Sequence, residues 1–314
     1  GGLLRRLRGI RRRGQMIGDC IACGDTLHPT RNPQPTIRNY ECIRGRSSPS
    51  AMIRASAAVV GRGSAKFTDT DNNRVGPGRF TQCATEFLQG KVEVQDEGSQ
   101  LLAMLVDAKR GEMVVDFCAG AGGKTLALGA AMRSTGRLYA FDTSAHRLDA
   151  LKPRMARSGL SNVHPAAIAH ERDDRVKRLS GKLDRVLVDA PCTGLGTLRR
   201  NPDLKWRQTM AGVEEMAVKQ AAILQSAARM VKSGGRLVYA TCSVLPQENE
   251  AIADAFSAAN PEFVPLPAGE VLSNLKVENA PTLCSGGDDG QLYLRLWPHL
   301  HQTDGFFAAV WQKK

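Results

Sequence analysis

The sequence contains no apolar run long enough to cross a membrane. A transmembrane helix needs about 20 consecutive apolar residues, and no stretch of the 314-residue chain approaches that length. The basic first residues, 1–14, are not followed by the apolar segment of a secretory signal peptide, although their arginines fit a mitochondrial-type leader in composition. These absences predict a protein without a membrane span, which we expect to be cytoplasmic.

A disulfide framework and paired metal-ligand spacing are also missing. Apolar strand-like runs flank several cysteines and no secretory signal precedes them, which indicates free thiols in a reducing compartment. Cys20 and Cys23, with His28 and Cys42, resemble half of a zinc site, but a second closely spaced pair is lacking. A loop-rich or disordered segment explains these residues more simply, and we expect no metal. The eight cysteines are at positions 20, 23, 42, 83, 118, 192, 242 and 284.

Acidic residues are scarce in the first part of the chain. Residues 1–90 contain 15 Lys+Arg and 6 Asp+Glu, which accounts for nine of the twelve net positive charges of the whole chain. A basic segment beside a globular body favours a polyanionic partner such as nucleic acid, while a solvated tail would have the same composition. Because periodicity is weak here, we predict a poorly defined basic segment over 1–90 and a folded domain over 91–314.

The folded domain alternates short apolar runs with stretches of helical periodicity. Predicted strands are 113–116, 138–142, 163–169, 185–188 and 237–240. Predicted helices are at about 123–132, 144–158, 213–232 and 247–259, the third ended by Gly234 and Gly235. This alternation predicts an α/β fold with a mostly parallel sheet covered on both faces. The last runs, 292–296 and 306–311, have no helix between them and predict an antiparallel hairpin at the sheet edge.

The loop after the first of these strands lacks both common phosphate-binding patterns. A P-loop would require Gly where Cys118 stands, and a dinucleotide fingerprint would require Gly where Thr125 stands. A strand–glycine turn–helix unit remains, with the acid Asp142 placed 20 residues beyond Gly122. An acid at this spacing suits the hydroxyl pair of a ribose. We therefore predict an adenosine-containing cofactor, although Asp142 alone also fits a helix cap.

One carboxylate and two thiols follow apolar runs that we predict to be strands. Asp189 and Cys192 follow the run 185–188, and Cys242 follows the run 237–240. Ligands bind at the carboxyl ends of strands in open α/β sheets, so both thiols line one cleft if their strands are neighbours. A buried apolar role or a disulfide is the alternative for either cysteine taken singly.

One reaction requires two thiols, an acid and such a cofactor together. Carbon 5 of cytosine is a poor nucleophile until a thiolate adds at carbon 6, after which it is able to take a methyl group. An acid beside ring nitrogen 3 stabilises the adduct. The proton on carbon 5 must then leave and the thiol must be expelled, and a second thiol assists that release. The residues thus predict methylation of cytosine at carbon 5.

The motifs around these residues resemble one family. They are VQDEGSQ at 94–100, DFCAGAGGKT at 116–125, DAPCTGLGTLRRNPDLKW at 189–206, TCSVLPQENE at 241–250 and DGFF at 304–307. Over about 91–311 the chain resembles the RNA 5-methylcytosine methyltransferases of the Sun/Nol/Nop type, above all the RsmB-like ribosomal-RNA branch. The resemblance implies a class I, Rossmann-like fold that uses S-adenosylmethionine, and a monomer whose partner is RNA, with ribosomal RNA favoured.

The resemblance also implies roles for individual residues. Cys242 is expected to be the nucleophile and Cys192 the thiol that promotes release, with Asp189 contacting the cytosine and Lys124 near the reacting groups. Cofactor contacts are expected from Cys118, Ala119, Gly120, Ala121, Gly122, Gly123, Lys124, Asp142, Asp173 and Asp189, with Asp174 as an alternative to Asp173.

Two features depart from the family pattern. Gly120 and Ala121 replace the usual small residue and proline of the cofactor loop, which keeps the side chains small, so we expect binding to survive. Residues 1–90 lack the periodic α/β RNA-binding domain that the family carries, and any RNA-binding region there has diverged. The alternatives are a tRNA methyltransferase, a DNA cytosine-C5 methyltransferase with Cys192 as nucleophile, and a catalytically idle RNA-binding or ribosome-assembly factor.

Basic residues beside the Cys192 motif predict contacts with the RNA backbone. A target base must leave its stack to meet a thiol inside a cleft, and neighbouring positive charges then hold the phosphates. A solvated basic surface is the simpler alternative. The residues are Arg199, Arg200, Lys205 and Arg207.

Overall fold

The computed structural model describes residues 57–59, 85–90 and 92–314, and the zinc-like cluster of the first 42 residues lies outside these ranges. A nine-stranded mixed sheet with helices on both faces forms the body, which confirms the predicted fold class. Within the described ranges, no helix is both long enough and apolar enough to span a bilayer. The same ranges contain no group of three His, Cys, Asp or Glu side chains placed to hold a metal ion.

A small antiparallel ribbon precedes the main sheet. Strand β1, Ala57–Val59, pairs with strand β2, Val92–Val94. The first of these strands lies inside the segment that we predicted to be loop-rich, and its partner lies just beyond the predicted boundary at residue 90. The remainder of residues 1–90, apart from a short helix at Thr85–Leu88, is outside the described ranges.

Five parallel strands form the centre of the main sheet, close to where the sequence predicts them. They are β3 Met113–Asp116, β4 Arg137–Asp142, β5 Val163–Ala167, β6 Leu183–Asp189 and β7 Val231–Thr241. Their order across the sheet is β5-β4-β3-β6-β7. The direction of winding reverses between β3 and β6, and the loops that leave these two strands therefore diverge and open a crevice at their carboxyl ends.

The C-terminal strands complete the sheet in the antiparallel sense. They are β8 Phe263–Leu266, β9 Cys284–Ser285, β10 Tyr293–Leu296 and β11 Phe306–Lys313. Strand β11 lies against β7 and also pairs with β10 and β8, while β9 pairs with β10. The predicted hairpin is confirmed, but the prediction that no helix separates its strands is wrong, because Pro298–His301 forms a short helix.

Several helices begin where a side chain accepts a hydrogen bond from one of the first free amides. Asp96 caps the helix Glu97–Val106 by accepting from the Gly98 amide, and Ser144 caps Ala145–Ser158 by accepting from the Arg147 amide. In chain order the helices are α1 Thr85–Leu88, α2 Glu97–Val106, α3 Gly123–Ala131, α4 Ala145–Ser158, α5 Asp174–Lys177, α6 Leu204–Arg207, α7 Met210–Ala228, α8 Glu250–Ala259, α9 Ala268–Asn274 and α10 Pro298–His301.

The predicted helix stop at Gly234 and Gly235 is wrong. Helix α7 ends at Ala228, and both glycines lie inside strand β7. The pairing of β6 with β7 slips between Leu183 and Arg185, opposite the segment that contains the glycines. Glycine in a strand interior commonly marks such an irregularity.

Alternate residues of the central strands belong to two separate cores. Val114, Leu187 and Val238 pack with helices α2, α3 and α4 on one face. Val115 and Tyr239 pack with α7 and α8 on the other face. Because successive strand residues point to opposite faces, the strands must be apolar throughout, which is why their sequences read as continuous apolar runs.

Candidate active site

Three neighbouring strands bring predicted site residues, and the further acid Asp116, to one edge of the sheet. Asp116 is the last residue of β3, Asp189 is the last residue of β6, and Cys242 directly follows β7. Strand β6 pairs in parallel with both β3 and β7. The strands before Cys192 and Cys242 are thus neighbours, which meets the condition for both thiols to line one cleft, and both lie at the carboxyl-terminal edge.

The glycine loop after β3 turns sharply into helix α3. Gly122 has a φ of +83°, and a Cβ added there would lie 2.2 Å from the Leu151 side chain. Both the backbone conformation and the packing therefore require glycine. An added Cβ at Gly120 would meet nothing within 4 Å, so the loop offers bare backbone there, as close approach of a flat ligand requires.

The Asp142 carboxylate fastens this loop to the end of β4. It accepts hydrogen bonds from the Gly120 amide at 2.8 Å and from the Ser144 amide at 2.7 Å. The N-cap of the following helix is Ser144, so the interpretation of Asp142 as that cap is wrong. Each carboxylate oxygen has two acceptor positions, and Asp142 therefore keeps capacity for the hydroxyl pair of a ribose.

Asp173 and Asp174 occupy different surroundings after β5. Asp173 accepts hydrogen bonds from the Ala169 amide at 3.0 Å and the Arg175 amide at 2.9 Å, and these bonds lower the pKa of its carboxyl. The Asp174 side chain is 79% exposed and pairs with Lys177. The partly buried position at the strand edge is that of Asp173, which makes it the better candidate of the two.

Asp116 carries a buried oxygen that has no partner. Its Oδ2 accepts from the Thr125 hydroxyl at 2.7 Å, whereas its Oδ1 is buried without a hydrogen bond among the described residues. Burial raises the pKa of this carboxyl to about 7. A buried acceptor without a donor is costly, and a ligand donor in the crevice would satisfy it. This oxygen, the bare backbone at Gly120 and the Asp142 carboxylate fit a cationic cofactor with a ribose, as S-adenosylmethionine is.

The two predicted thiols are in direct contact. The Sγ atoms of Cys192 and Cys242 lie 3.4 Å apart, and both cysteines are free and partly buried. At this separation one sulfur donates its proton in a hydrogen bond to the other. The two side chains therefore form a single unit that shares protons, and neither titrates independently.

The groups around the pair make one of its two thiols more acidic than the other. A hydrogen bond from Cys192 lowers the pKa of Cys242, and the nearby Lys124 ammonium lowers it further, against burial and the Asp189 charge. The same hydrogen bond and burial raise the pKa of Cys192 well above its ordinary value. Cys242 is thus the sulfur of the pair that loses its proton more readily and Cys192 the one that keeps it, and a thiolate is the nucleophilic form.

Lys124 and Asp189 join the cofactor loop to the cysteine loop. The Lys124 ammonium lies 2.7 Å from Asp189 Oδ2, with the lysine side chain only 11% exposed. Burial alone would lower the pKa of Lys124, but the Asp189 carboxylate more than offsets it and the pKa is raised. The ammonium also lies 5.8 Å from the centre of the Phe306 ring. A fixed cation beside a carboxylate and a thiolate can stabilise negative charge on a bound base.

A glycine contact sets the position of the Cys192 loop. The Gly196 amide donates to the Cys242 carbonyl at 2.8 Å, and the Gly305 amide donates to the Gly196 carbonyl at 2.8 Å. A Cβ at Gly196 would lie 2.1 Å from the Gly305 oxygen. No side chain fits in this space, so the loops that carry Cys192, Cys242 and Gly305 are packed backbone against backbone.

Two of the basic residues predicted to contact phosphates already have partners. Arg199 Nε lies 2.9 Å from Asp304 Oδ1, and Arg200 pairs with Oδ2 of the same carboxylate. The Asp304 side chain is fully buried. An uncompensated buried charge is strongly unfavourable, so these arginines hold the C-terminal hairpin to the cysteine loop. Their outer surfaces remain about half exposed.

The other two basic residues lie on helix α6 with an exposed aromatic side chain. Trp206 is 81% exposed, and the Lys205 ammonium lies 4.8 Å from the centre of its ring. Arg207 is exposed and pairs with Asp203. The helix follows the Cys192 loop directly, and the Gln208 side chain ties it back to the Thr193 carbonyl at 3.0 Å.

Besides Asp116, sequence reasoning missed two further buried carboxylates that organise the site. Asp304, in the DGFF motif, receives the two arginines, and Glu248, in the TCSVLPQENE motif, bonds to the residues that follow both cysteines. Both motifs are apparent in the sequence, but nothing in them marks these acids as buried. The signal lies in their pairing with residues such as Thr193, 55 positions from Glu248, and Arg199, 105 positions from Asp304.

The strand order and the crevice define a class I methyltransferase fold. The chain matches the model of the family described as 16S rRNA methyltransferase RsmB/F over residues 103–312. The chain belongs to this family.

Relatives and solved structures agree with this assignment. The chain is 32% identical to the probable ribosomal RNA small subunit methyltransferase B of Bacillus subtilis, over 90% of this chain and 60% of that protein. It is 34% identical to a mouse 28S rRNA (cytosine-C(5))-methyltransferase, over 73% of this chain and 29% of that protein. The chain thus spans less than two thirds of the length of these curated relatives.

Solved structures support the same fold. The NSun6 protein of Pyrococcus horikoshii, solved with SFG, matches with a TM-score of 0.62 and 27% identity, over 74% of this chain and 56% of that chain. A methyltransferase homolog protein of the same organism matches with a TM-score of 0.61 and 32% identity, over 74% and 71% of the two chains. S-adenosylmethionine is the methyl donor of this class, and that expectation is confirmed for the family.

Proposed function

We propose that this chain methylates carbon 5 of a cytosine in RNA, with ribosomal RNA as the substrate. The observation that carries the proposal is the contact between the Cys242 and Cys192 sulfurs at 3.4 Å, beside the Lys124–Asp189 pair. Two thiols and an acid are the groups that this reaction requires. The names of the curated relatives favour ribosomal RNA over transfer RNA or DNA.

The cofactor site is formed by the loop 118–124 and two strand-end acids. Asp142 is proposed to accept from the ribose hydroxyls, and the free oxygen of Asp116 to accept from a donor of the cofactor. The bound cofactor supplies the methyl group. The Gly120 backbone leaves the space that its adenosine needs, because nothing would obstruct even a side chain there.

The reaction begins with the Cys242 thiolate. Its sulfur forms a bond to carbon 6 of the flipped cytosine, and carbon 5 gains the electron density that lets it take the methyl group. Asp189 contacts the base near ring nitrogen 3, and the Lys124 ammonium 2.7 Å away balances the charge that develops. Carbon 5 then carries both a methyl group and its original hydrogen.

Cys192 completes the reaction by assisting release. Once Cys242 has become a thioether, it no longer bears the negative charge that keeps Cys192 protonated, so the pKa of Cys192 falls in the adduct. Cys192 then loses its proton to solvent, and the resulting thiolate removes the proton from carbon 5. The electrons of that bond restore the ring double bond and expel Cys242 as a thiolate, which returns the pair to its starting state.

The roles of the two cysteines leave different chemical traces. We expect Cys242→Ala to neither methylate RNA nor form a covalent complex, because addition requires the attacking thiolate. Cys192→Ala should still add to the base and then stall, so a protein–RNA adduct should accumulate and survive denaturing gel electrophoresis. The assay uses ribosomal RNA fragments, transfer RNA and DNA of matched length, with labelled S-adenosylmethionine.

A third cysteine provides the control. Cys284 lies in strand β9, is partly buried and donates to the Ala280 carbonyl, so Cys284→Ala should methylate and release RNA like the unaltered protein. A trapped complex from Cys242→Ala, and none from Cys192→Ala, would exchange the two roles, as the DNA-type alternative requires. RNA binding without methylation or adduct in every variant and in the unaltered protein would instead support an idle binding factor.

A further inference from the structure

Glu248 is a buried carboxylate that the proposed reaction does not use. Its side chain is 0% exposed. Oε1 accepts from the Thr193 amide at 2.8 Å and from Gln220 Nε2 at 3.1 Å, while Oε2 accepts from the Thr193 hydroxyl at 2.5 Å and from the Ser243 hydroxyl. Two carboxylate oxygens offer about four acceptor positions, so every position is filled.

The donors to Glu248 are the residues that follow the two thiols. Thr193 follows Cys192 and Ser243 follows Cys242 in the chain. One carboxylate therefore bonds to both cysteine loops, which belong to different strands and are separated by 50 residues. Each reactive sulfur lies one residue away from the same fixed group.

The residues that precede the thiols are held by the surroundings of Glu248. Gln220 Nε2 donates to Glu248 and also to the Pro191 carbonyl at 2.9 Å. The Thr241 hydroxyl donates to Oδ1 of Asn249, the neighbour of Glu248, at 2.5 Å. Both cysteines are thus bracketed on both sides by one hydrogen-bond network.

We propose that Glu248 is a positioning residue that fixes the separation of the two thiols through Thr193 and Ser243. The inference deepens the proposed function and rests on it for its kinetic consequence, but the thiol geometry is independent of any substrate. After the hydrogen bond to Cys242 and burial, the Glu248 charge is a further cause that raises the pKa of Cys192. The carboxylate therefore also helps to keep Cys192 as the S–H donor.

The separation of the thiols is measurable without RNA or cofactor. In a glutathione buffer, oxidised glutathione converts the two thiols into a disulfide and is reduced to two molecules of glutathione, and the equilibrium reports the effective concentration of one thiol at the other. We expect that concentration to be at least tenfold lower in Glu248→Ala than in the unaltered protein. Mass spectrometry of the linked peptides after acid quenching gives the oxidised fraction.

The control loses a buried hydrogen bond of similar kind elsewhere in the fold. Asn260 is buried at the far end of α8 and donates to the Phe256 carbonyl at 2.8 Å. We expect Asn260→Ala to destabilise the protein, as thermal unfolding would show, but to leave the thiol equilibrium unchanged. A folded Glu248→Ala protein with the same equilibrium as the unaltered protein and this control would overturn the proposal.

The kinetic constants provide a second test, because a general loss of stability would not lower kcat while leaving KM for RNA unchanged. In Glu248→Ala we expect kcat for RNA methylation to fall at least tenfold while KM for RNA stays within twofold. Glu248→Gln keeps the shape and one acceptor oxygen but places its amide group against donors, so intermediate values are expected in both assays. If the equilibrium shifts and the unaltered protein methylates no RNA, the proposed function fails while the positioning role stands.

A second pair of substitutions guards against a Glu248 variant that does not fold. Thr193→Val combined with Ser243→Ala removes the two hydroxyls that donate to Oε2 and leaves the carboxylate in place. We expect the same direction of change in the thiol equilibrium. An unchanged equilibrium in this folded double variant would also overturn the proposal.

Discussion

Replacing Asp116 with asparagine removes a buried carboxyl group that the fold holds in an unfavourable state at neutral pH. The side chain is 1% exposed, and its only hydrogen bond among the described residues is the one from Thr125. Burial raises the pKa from 3.8 to about 7, and the charges of Asp189 and Asp142 add to the effect. The folded protein therefore binds a proton here that the unfolded chain has already released.

The sign of the effect on stability follows from that difference. Between pH 4 and 7 the folded state holds more protons than the unfolded state, so the free energy of unfolding falls as the pH rises through this window. A shift of about 3 pKa units corresponds to at most about 4 kcal/mol, since each unit is 1.36 kcal/mol. Asp116→Asn does not titrate, so its stability relative to the unaltered protein should increase by up to this amount between pH 4 and 8.

Urea unfolding of the full chain at a series of pH values measures the difference. The control is Asp149→Asn, an exposed carboxyl whose pKa is lowered by its hydrogen bond with Lys152, and which should give a small difference of the opposite sign. A relative stability of Asp116→Asn that stays constant from pH 4 to 8 would show that the carboxyl ionises as it does in the unfolded chain. The argument from burial would then be wrong.

Two further predictions concern binding. Asp142→Ala should lower the affinity for S-adenosylhomocysteine at least tenfold in calorimetry, with Asp149→Ala, an exposed carboxyl on the helix that follows, as the control. An unchanged affinity would remove Asp142 from the cofactor site. RNA affinity should weaken steeply with added salt, and Lys205→Ala should reduce the slope of log K against log salt by about 1. A slope that is unaffected by this substitution would show that the α6 surface does not contact phosphates.

The sequence predicted the centre of the sheet because both of its faces are buried. Apolar side chains then occupy successive positions, as in β6 and β7, and the runs are visible without any partner. The sequence predicts no element over 260–291, because β8, β9 and α9 are short and their packing depends on β10 and β11. Gly234 and Gly235 are predicted to end a helix but lie inside β7. A local helix-stop signal is therefore weaker than the pairing of β7 with its neighbours.

The reactive groups of the site were predictable because their chemistry is specific. A thiol after each of two strands and an acid at Asp189 define a reaction, and their proximity needed only that the strands be adjacent. The supporting carboxylates were not predictable. Glu248 and Asp304 are ordinary acids in sequence. Their burial is tolerated because the fold brings donors such as Thr193 and Arg200 to them from distant segments. Spacing along the chain carries no information about such partners.

The close contact between Gly196 and Gly305 limits which substitutions either position can accept during evolution. Each lies where the side chain of the other would have to be, since a Cβ on Gly305 would stand 2.9 Å from the Gly196 Cα and one on Gly196 would stand 2.1 Å from the Gly305 oxygen. A larger residue at one position cannot be compensated by any residue at the other, because neither has anything left to remove. We therefore expect glycine to be retained at both positions, although they lie more than 100 residues apart in the sequence.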